Sequence, residues 1–185
     1  MNHLLPHLLS GSQHVRFDMT KRQIRIEGDI AYVPLTQGYE AVIDAADVPL
    51  VEGYSWKAVV GSRRVYAATQ VGGRKNKTDI RMHRLIMEAP TGVDVDHIDH
   101  NGINNRRKNM RLCTRSENLQ NQRKRLDNTS GFKGVNYYKR TGRWRAYIMR
   151  DSKERHLGYF DTPEEAYDAY CKASEELHGE YGFAG

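Results

Sequence analysis

Residues 95–105 read VDHIDHNGINN. The pairs Asp96-His97 and Asp99-His100 are followed by Asn101, Asn104 and Asn105 around Gly102. Such a run is poor core and poor helix, yet it is rich in groups that hold a cation or move a proton. Carboxylate and amide oxygens are hard ligands suited to Mg²⁺, which keeps several waters and welcomes phosphate oxygens. An imidazole beside such an ion can accept a proton from an attacking water, while the ion polarises a scissile phosphate. One metal on Asp96 and a later amide, Asn118, with His97 as base and a cationic groove, would be enough for phosphodiester hydrolysis.

These groups need a frame, and the flanking sequence supplies a strand-loop-strand-helix unit over 94–125. The first strand carries Asp96 and His97 on opposite faces. KNMRLCT alternates, so Met110 and Leu112 point one way and Asn109 and Arg111 the other. Thr114 with Glu117 forms a capping box, which starts a helix carrying Ser116 to about Lys124 and places Asn118 on it. Upstream, residues 29–90 read as a β-rich module punctuated by Pro34, Gln37-Gly38, Gly61-Ser62 and Gly72-Gly73, with a short helix in RMHRLIMEAP ending before Pro90. Downstream of a polar connector at 126–130, residues 131–185 predict three short strands and a helix. Thr162, Pro163 and Glu165 mark the helix start, and Gly179 its stop. Ala166, Ala169, Tyr170, Ala173 and Leu177 form its apolar stripe. The expected class is α+β: an N-terminal extension (1–28), a β-rich module (29–90), a polar module (91–125), and a three-stranded antiparallel sheet packed on one helix (131–185). Met19 is a possible alternative start.

Charge points to an anionic partner. The 185 residues carry a net charge of +6 and 38% hydrophobic residues. Between 101 and 145, thirteen Lys/Arg face two acids, Glu117 and Asp127, giving 13 − 2 = +11 and leaving 6 − 11 = −5 for the rest. A phosphate backbone suits that block. Two distant cysteines, Cys113 and Cys171, offer no CxxC pair, no disulfide framework and no thiolate zinc site, which fits a reducing cytoplasm. No secretory leader or 18-residue apolar run is visible, so no membrane span is expected. There is no GxxxxGK[ST] or GxGxxG, and hence no small-molecule cofactor is expected.

VDHIDHNGINNRRKNMRLCTRSENLQNQ resembles the HNH nuclease motif, the ββα-metal finger of homing endonucleases, over roughly 83–125. The resemblance implies that Asp96 binds the metal and His97 is the general base. It further implies that Asn109 holds the loop between the strands and that Asn118 completes the metal site, where many relatives have His. The implied ion is Mg²⁺ or Mn²⁺. Asp99 is expected to hydrogen-bond loop amides, and Asn104 and Asn105 to satisfy loop backbone groups. His100, where relatives often have Gly, is expected to face solvent. Asn121 could face the site or DNA. His83 recurs before this motif in similar proteins, and a structural or phosphate-contacting role is expected of it.

The last unit, SGFKGVNYYKRTGRWRAYIMRDSKERHLGYFDTPEEAYDAY and onward, resembles the plant ethylene-response-factor DNA-binding domain of AP-two type over 130–182. In that family the sheet enters the major groove. A two-residue period then turns Trp144, Ala146 and Ile148 to the helix, and Arg145, Tyr147 and Met149 to DNA. Lys133, Asn136, Tyr138 and His156 match other groove-facing positions. Arg143 joins that face, and Arg123 and Lys124 of the connector would contact phosphate. The plant proteins carry more arginines there, so their target does not transfer.

These readings imply a site-directed DNA endonuclease of homing type, such as phages carry. It would be a cytoplasmic monomer acting on double-stranded DNA, with the N-terminal module supporting DNA contact. The alternatives are a non-catalytic DNA-binding regulator built from the same modules and an RNA-binding splicing helper.

Overall fold

The computed structural model describes residues 23–73, 76–125 and 127–183. Met19 lies outside them. The chain is α+β, built from small antiparallel sheets and four helices among the described residues.

Three strands come first: β1 (Arg25–Glu27), β2 (Ile30–Pro34) and β3 (Glu40–Asp44). They pair in sequence order, so the sheet begins within the stretch expected to be an extension. A one-turn helix, α1 (Val48–Val51), leads to a second sheet of β4 (Lys57–Val60), β5 (Val65–Val71) and β6 (Thr78–Arg81). Helix α2 (Met82–Ile86) follows at once. Arg84 donates to the carbonyls of Val93 (2.6 Å), Ala89 (3.1 Å) and Pro90 (2.8 Å), fixing the turn that delivers the next strand.

That strand, β7 (Asp94–His97), pairs with β8 (Met110–Cys113), setting Asp96 opposite Arg111 and His97 opposite Met110. Helix α3 (Arg115–Gln120) carries the full Thr114–Glu117 capping box. It ends four residues short of the expected Lys124, because its last cap, Asn121, turns a buried side chain into the hairpin. The expected two-sided pattern of β8 also needs correction. Met110 is buried, but Leu112, near the end of a two-stranded ribbon, stays 41% exposed.

One apolar cluster runs through the β-rich part and the hairpin, joining Ala31, Val33, Ile43, Trp56, Met82 and Ile86 to Val95 and Met110. The loop between β7 and β8 is stitched to the first sheet. Val42 N–H donates to Ile103 O (2.8 Å) and Asn105 N–H to Val42 O (2.7 Å). Gly102 is required there, since a Cβ would meet the Tyr66 ring and Val65 O at 2.5–2.7 Å. Arg106 pairs with Asp44 (2.7 Å) and Asp29 (2.6 Å), and Arg107 with the buried Asp47 (2.8 Å). Two cations of the +11 block therefore clamp this loop rather than face a phosphate backbone.

The last unit holds β9 (Val135–Tyr138), β10 (Arg143–Arg150), β11 (Lys153–Phe160) and α4 (Pro163–His178), with β10 central. Ala146, Ile148, Ala166, Tyr170 and Ala173 bury one sheet face against α4. Leu157 is the extra residue of a bulge in β11, packed inward beside Gly158 at φ +142. Beyond α4 the chain returns to the hairpin. Arg111 donates to Glu180 O and lies over the Tyr181 ring (4.2 Å), and Tyr181 donates to Leu112 O (3.3 Å). No helix among the described residues is long and apolar enough to cross a membrane.

Candidate active site and nucleic-acid face

The two faces of β7 lead to two environments. His97 is 2% exposed, and its ring packs 5.1 Å from His83 and 6.0 Å from Tyr66, both partly exposed. Its Nε2 lies 3.0 Å from Asn105 Oδ1, while Asn105 Nδ2 points to Met82 Sδ (3.4 Å). With that oxygen accepting, Nε2 carries the hydrogen and Nδ1 keeps the lone pair. Burial holds the ring below the ordinary imidazole range, opposed by the Asn105 hydrogen bond and the charges of Asp99 and Asp96. The neutral, proton-accepting form is thereby favoured.

Asp96, on the opposite face, is 1% exposed. Arg111 donates to Oδ2 from Nε (3.0 Å) and Nη2 (2.8 Å). Asn121 Nδ2 lies 2.8 and 2.9 Å from the two oxygens and 3.2 Å from His97 O. Asn118, the expected partner, does not make this contact. Its amide donates to Asp94 Oδ2 (2.8 Å), and together with Arg115 it holds that carboxyl below the usual range. The reason is position along the helix. Asn118 and Asn121, three residues apart, share one face of α3, and the later one reaches Asp96 while the earlier one stops at Asp94.

The loop is held by carboxylate and amides together. Asp99 accepts from Asn101 N (2.8 Å), Asn104 Nδ2 (2.7 Å) and Asn109 Nδ2 (2.9 Å). Asn109, buried, also donates to Asn104 O (2.8 Å) and accepts from Asp99 N (3.1 Å). His100 corrects an expectation. It is 7% exposed, with Nε2 2.5 Å from Asn121 O and its ring edge-on to Phe183 at 4.3 Å. Its φ of +63 explains why a glycine suits the position. The sequence reading also missed Asn105. Its type resembles that of its neighbours, and only the fold sets it on His97.

Among the described residues no three His, Cys, Asp or Glu side chains converge on one point. One carboxylate and one amide nevertheless suit a hard ion that keeps its waters. Amide oxygen and nitrogen are set by their hydrogen bonds, so turning the Asn121 amide offers its oxygen beside Asp96. Burial pushes the Cys113 thiol up to about 11, so it is no nucleophile.

On the C-terminal sheet, Asn136 and Tyr159 flank Arg145, Tyr138 pairs with Arg143, and His156 pairs with Tyr147. Arg145 donates to Asn136 (3.1 Å) and Glu154 (3.3 Å) and lies over the Tyr147 ring at 4.9 Å. Arg143 pairs with Asp161 (2.9 Å), and Met149 is 45% exposed. Lys133 corrects an expectation. It does not face a groove, because its ammonium donates to Gln120 O (2.7 Å) and Phe183 O (2.8 Å), and burial pushes it down to about 8. Arg123 and Lys124 are exposed on the connector, with the Lys124 ammonium reaching Gly131 O.

A hairpin with a buried Asp-His pair, followed by a capped helix, defines a ββα nuclease-like unit, and sequence comparison agrees. Residues 81–120 match the HNH endonuclease family, and residues 130–180 the AP2 domain. The chain is 33% identical over 106 residues to Protein 3.8 of Escherichia phage T7, covering 55% of this chain and 87% of that protein. To the Uncharacterized HNH endonuclease L560 of Acanthamoeba polyphaga mimivirus it is 29% identical over 147 residues, 78% of this chain and 74% of that protein. To the AP2-like ethylene-responsive transcription factor TOE2 of Arabidopsis thaliana it is 41% identical over 51 residues, 28% of this chain and 10% of that protein. No solved structure matches. The chain is thus a relative of Protein 3.8 of Escherichia phage T7, with an HNH endonuclease segment followed by an AP2 domain.

Proposed function

We propose that this protein is a site-directed DNA endonuclease of homing type, which hydrolyses phosphodiester bonds of double-stranded DNA with one divalent ion, Mg²⁺ or Mn²⁺. The observation that carries the reading is His97. Its buried, neutral ring has Nε2 fixed by Asn105 and Nδ1 free to accept, one residue from a carboxylate that meets a helix amide. When bound, the divalent ion supplies positive charge to the developing oxyanion and leaving oxygen. His97 Nδ1 takes the proton of the attacking water. Asp96 holds the ion, and Asn121 is the amide that the geometry favours beside it, with Asn118 one turn earlier on Asp94. Asn109 keeps the loop closed on Asp99. Tyr66, partly exposed beside the ring, is the side chain that must yield to admit a phosphodiester.

In this reading the AP2 sheet grips the target through Asn136, Tyr138, Arg143, Arg145, Tyr147 and His156, while Arg123 and Lys124 hold phosphate. The protein acts as a monomer in the cytoplasm. A non-catalytic DNA-binding regulator is the second reading, favoured by the closed Arg111–Asp96 ion pair (2.8 Å). One experiment separates them: incubation with host and phage genomic DNA plus Mg²⁺, then sequencing of new ends. Recurrent ends at defined sites, suppressed by EDTA while binding persists, are expected of the endonuclease. Binding without any new ends would leave the regulator.

A further inference from the structure

Beside His97 lies a second polar cluster that the hydrolytic roles do not use. Arg81 closes β6 and caps α2, and His83 is the second residue of that helix. Arg81 Nη1 and His83 Nδ1 are both shut off from solvent, and neither has a hydrogen-bond partner among the described residues. Arg81 joins no ion pair among the described residues. Its guanidinium carbon lies 5.7 Å from the centroid of the Tyr66 ring, and that ring packs 5.6 Å from His83 and 6.0 Å from His97. Arg64 Nη1 reaches Tyr66 Oη at 3.5 Å. Around one tyrosine, then, stand two arginines and two imidazoles with no carboxylate among these contacts.

A buried donor left without a partner is destabilising, and more so when it is charged. Native proteins rarely keep such a group without a use for it. Burial and the positive charges of Arg81 and Arg84, with His97, push His83 down to about 3, so the ring is neutral at pH 7. Every electrostatic feature of the cluster would be relieved by an anion.

We propose that Arg81 and His83, with Tyr66 as the hinged wall, form a phosphate subsite that seats one DNA phosphodiester against His97. The inference rests on the nuclease reading for its occupant, because a backbone phosphate is the anion that substrate brings. The guanidinium fork matches two phosphate oxygens, and the planar ring of His83 offers a single N–H beside it. The distance of 5.1 Å between the rings of His83 and His97 sets the seated phosphate next to the base. Arg81 and His83 are positioning residues in this scheme, since His97 performs the proton transfer.

The test uses the full chain labelled with ¹⁵N-histidine, free of divalent metal, titrated first with inorganic phosphate and then with a short DNA duplex. The ring resonances of His83 and His97 should shift together with the duplex, and inorganic phosphate should move the same signals at higher concentration. Arg81→Met should weaken duplex binding about tenfold, the effect of losing one charged hydrogen bond, and abolish the His83 shift. Arg81→Lys should restore part of both. Unchanged signals from His100, His156 and His178 verify that each variant is folded. A His83 resonance that stays still at saturating duplex overturns the subsite, even if the protein cuts DNA. A His83 shift in a protein that never cuts DNA keeps the subsite and removes the nuclease reading instead.

Discussion

Polar groups in the hairpin-helix unit and on the C-terminal sheet are spent in opposite ways. Around β7 they are turned inward. Asp96, His97, Asn105, Asn109 and Asn121 are all buried, and each meets another residue of the same small unit or its loop. On β9–β11 they lie across an open face, where Arg145, Asn136, Glu154 and Tyr147 contact one another and keep partial exposure. A reaction centre needs fixed geometry in a dry surrounding, since low dielectric strengthens each interaction and orientation lowers the barrier. A reading face needs side chains free to exchange internal partners for base edges. The two surfaces are also tied together. The strap Glu180–Phe183 touches Arg111, Leu112 and His100, and Lys133 joins Gln120 to Phe183.

The contrast breaks most clearly at His97. His97→Ala should lower single-turnover cleavage by about 10²–10⁴ while leaving duplex affinity nearly intact. Asn105→Ala should lose less, and Asn105→Asp, which keeps an oxygen toward Nε2, should recover much of it. Wild-type rates from His97→Ala would show that the buried pair is architectural.

A smaller effect sharpens the inside of the hairpin. Calorimetric titration with Mn²⁺ should show Asn121→Ala losing at least about tenfold in affinity, or 1.4 kcal/mol, with Asn118→Ala nearer wild type. The reverse order would mean that metal binding rotates α3 to bring Asn118 from Asp94 onto Asp96.

The smallest effects belong to the open face. Arg145→Ala should remove about 1–3 kcal/mol of discrimination between target and scrambled duplex, with little change in binding to random DNA. Arg123→Ala and Lys124→Ala should weaken both duplexes alike, each lowering the salt slope by about 0.9. Binding titrations at two salt concentrations read all three variants. Equal loss on both duplexes from Arg145→Ala would make the sheet a phosphate platform rather than a reader.

Local chemistry was legible wherever sequence neighbours decide structure. Both capping boxes, Thr114–Glu117 and Thr162–Glu165, form as their spacing requires, because a cap uses only residues three apart. The stripe of Ala166, Tyr170 and Ala173 is buried for the same kind of reason, as is the inward turn of Ala146 and Ile148 on β10. The placing of Asp96 and His97 on the first strand of the hairpin was legible in the same way, since β7 and β8 form where the flanking residues predict them.

Long-range partners were not legible. Charge counting gave the 101–145 block to a phosphate backbone, but Arg106, Arg107 and Arg111 close ion pairs with Asp44, Asp47 and Asp96. Sequence shows how many charges exist and not which acids lie across the fold. Lys133 matched a groove-facing position and became a strut, because the strap returns from fifty residues away to meet it. Among six asparagines between 101 and 121, the fold chose Asn105 for His97 and Asn121 for Asp96 through strand pairing, position along α3 and the stitching of Ile103 and Asn105 to Val42. Residue type sets what a side chain can do, and nearest-neighbour periodicity sets which way it starts out. Which partner it meets depends on contacts between segments far apart in the chain, and only the folded molecule brings those segments together.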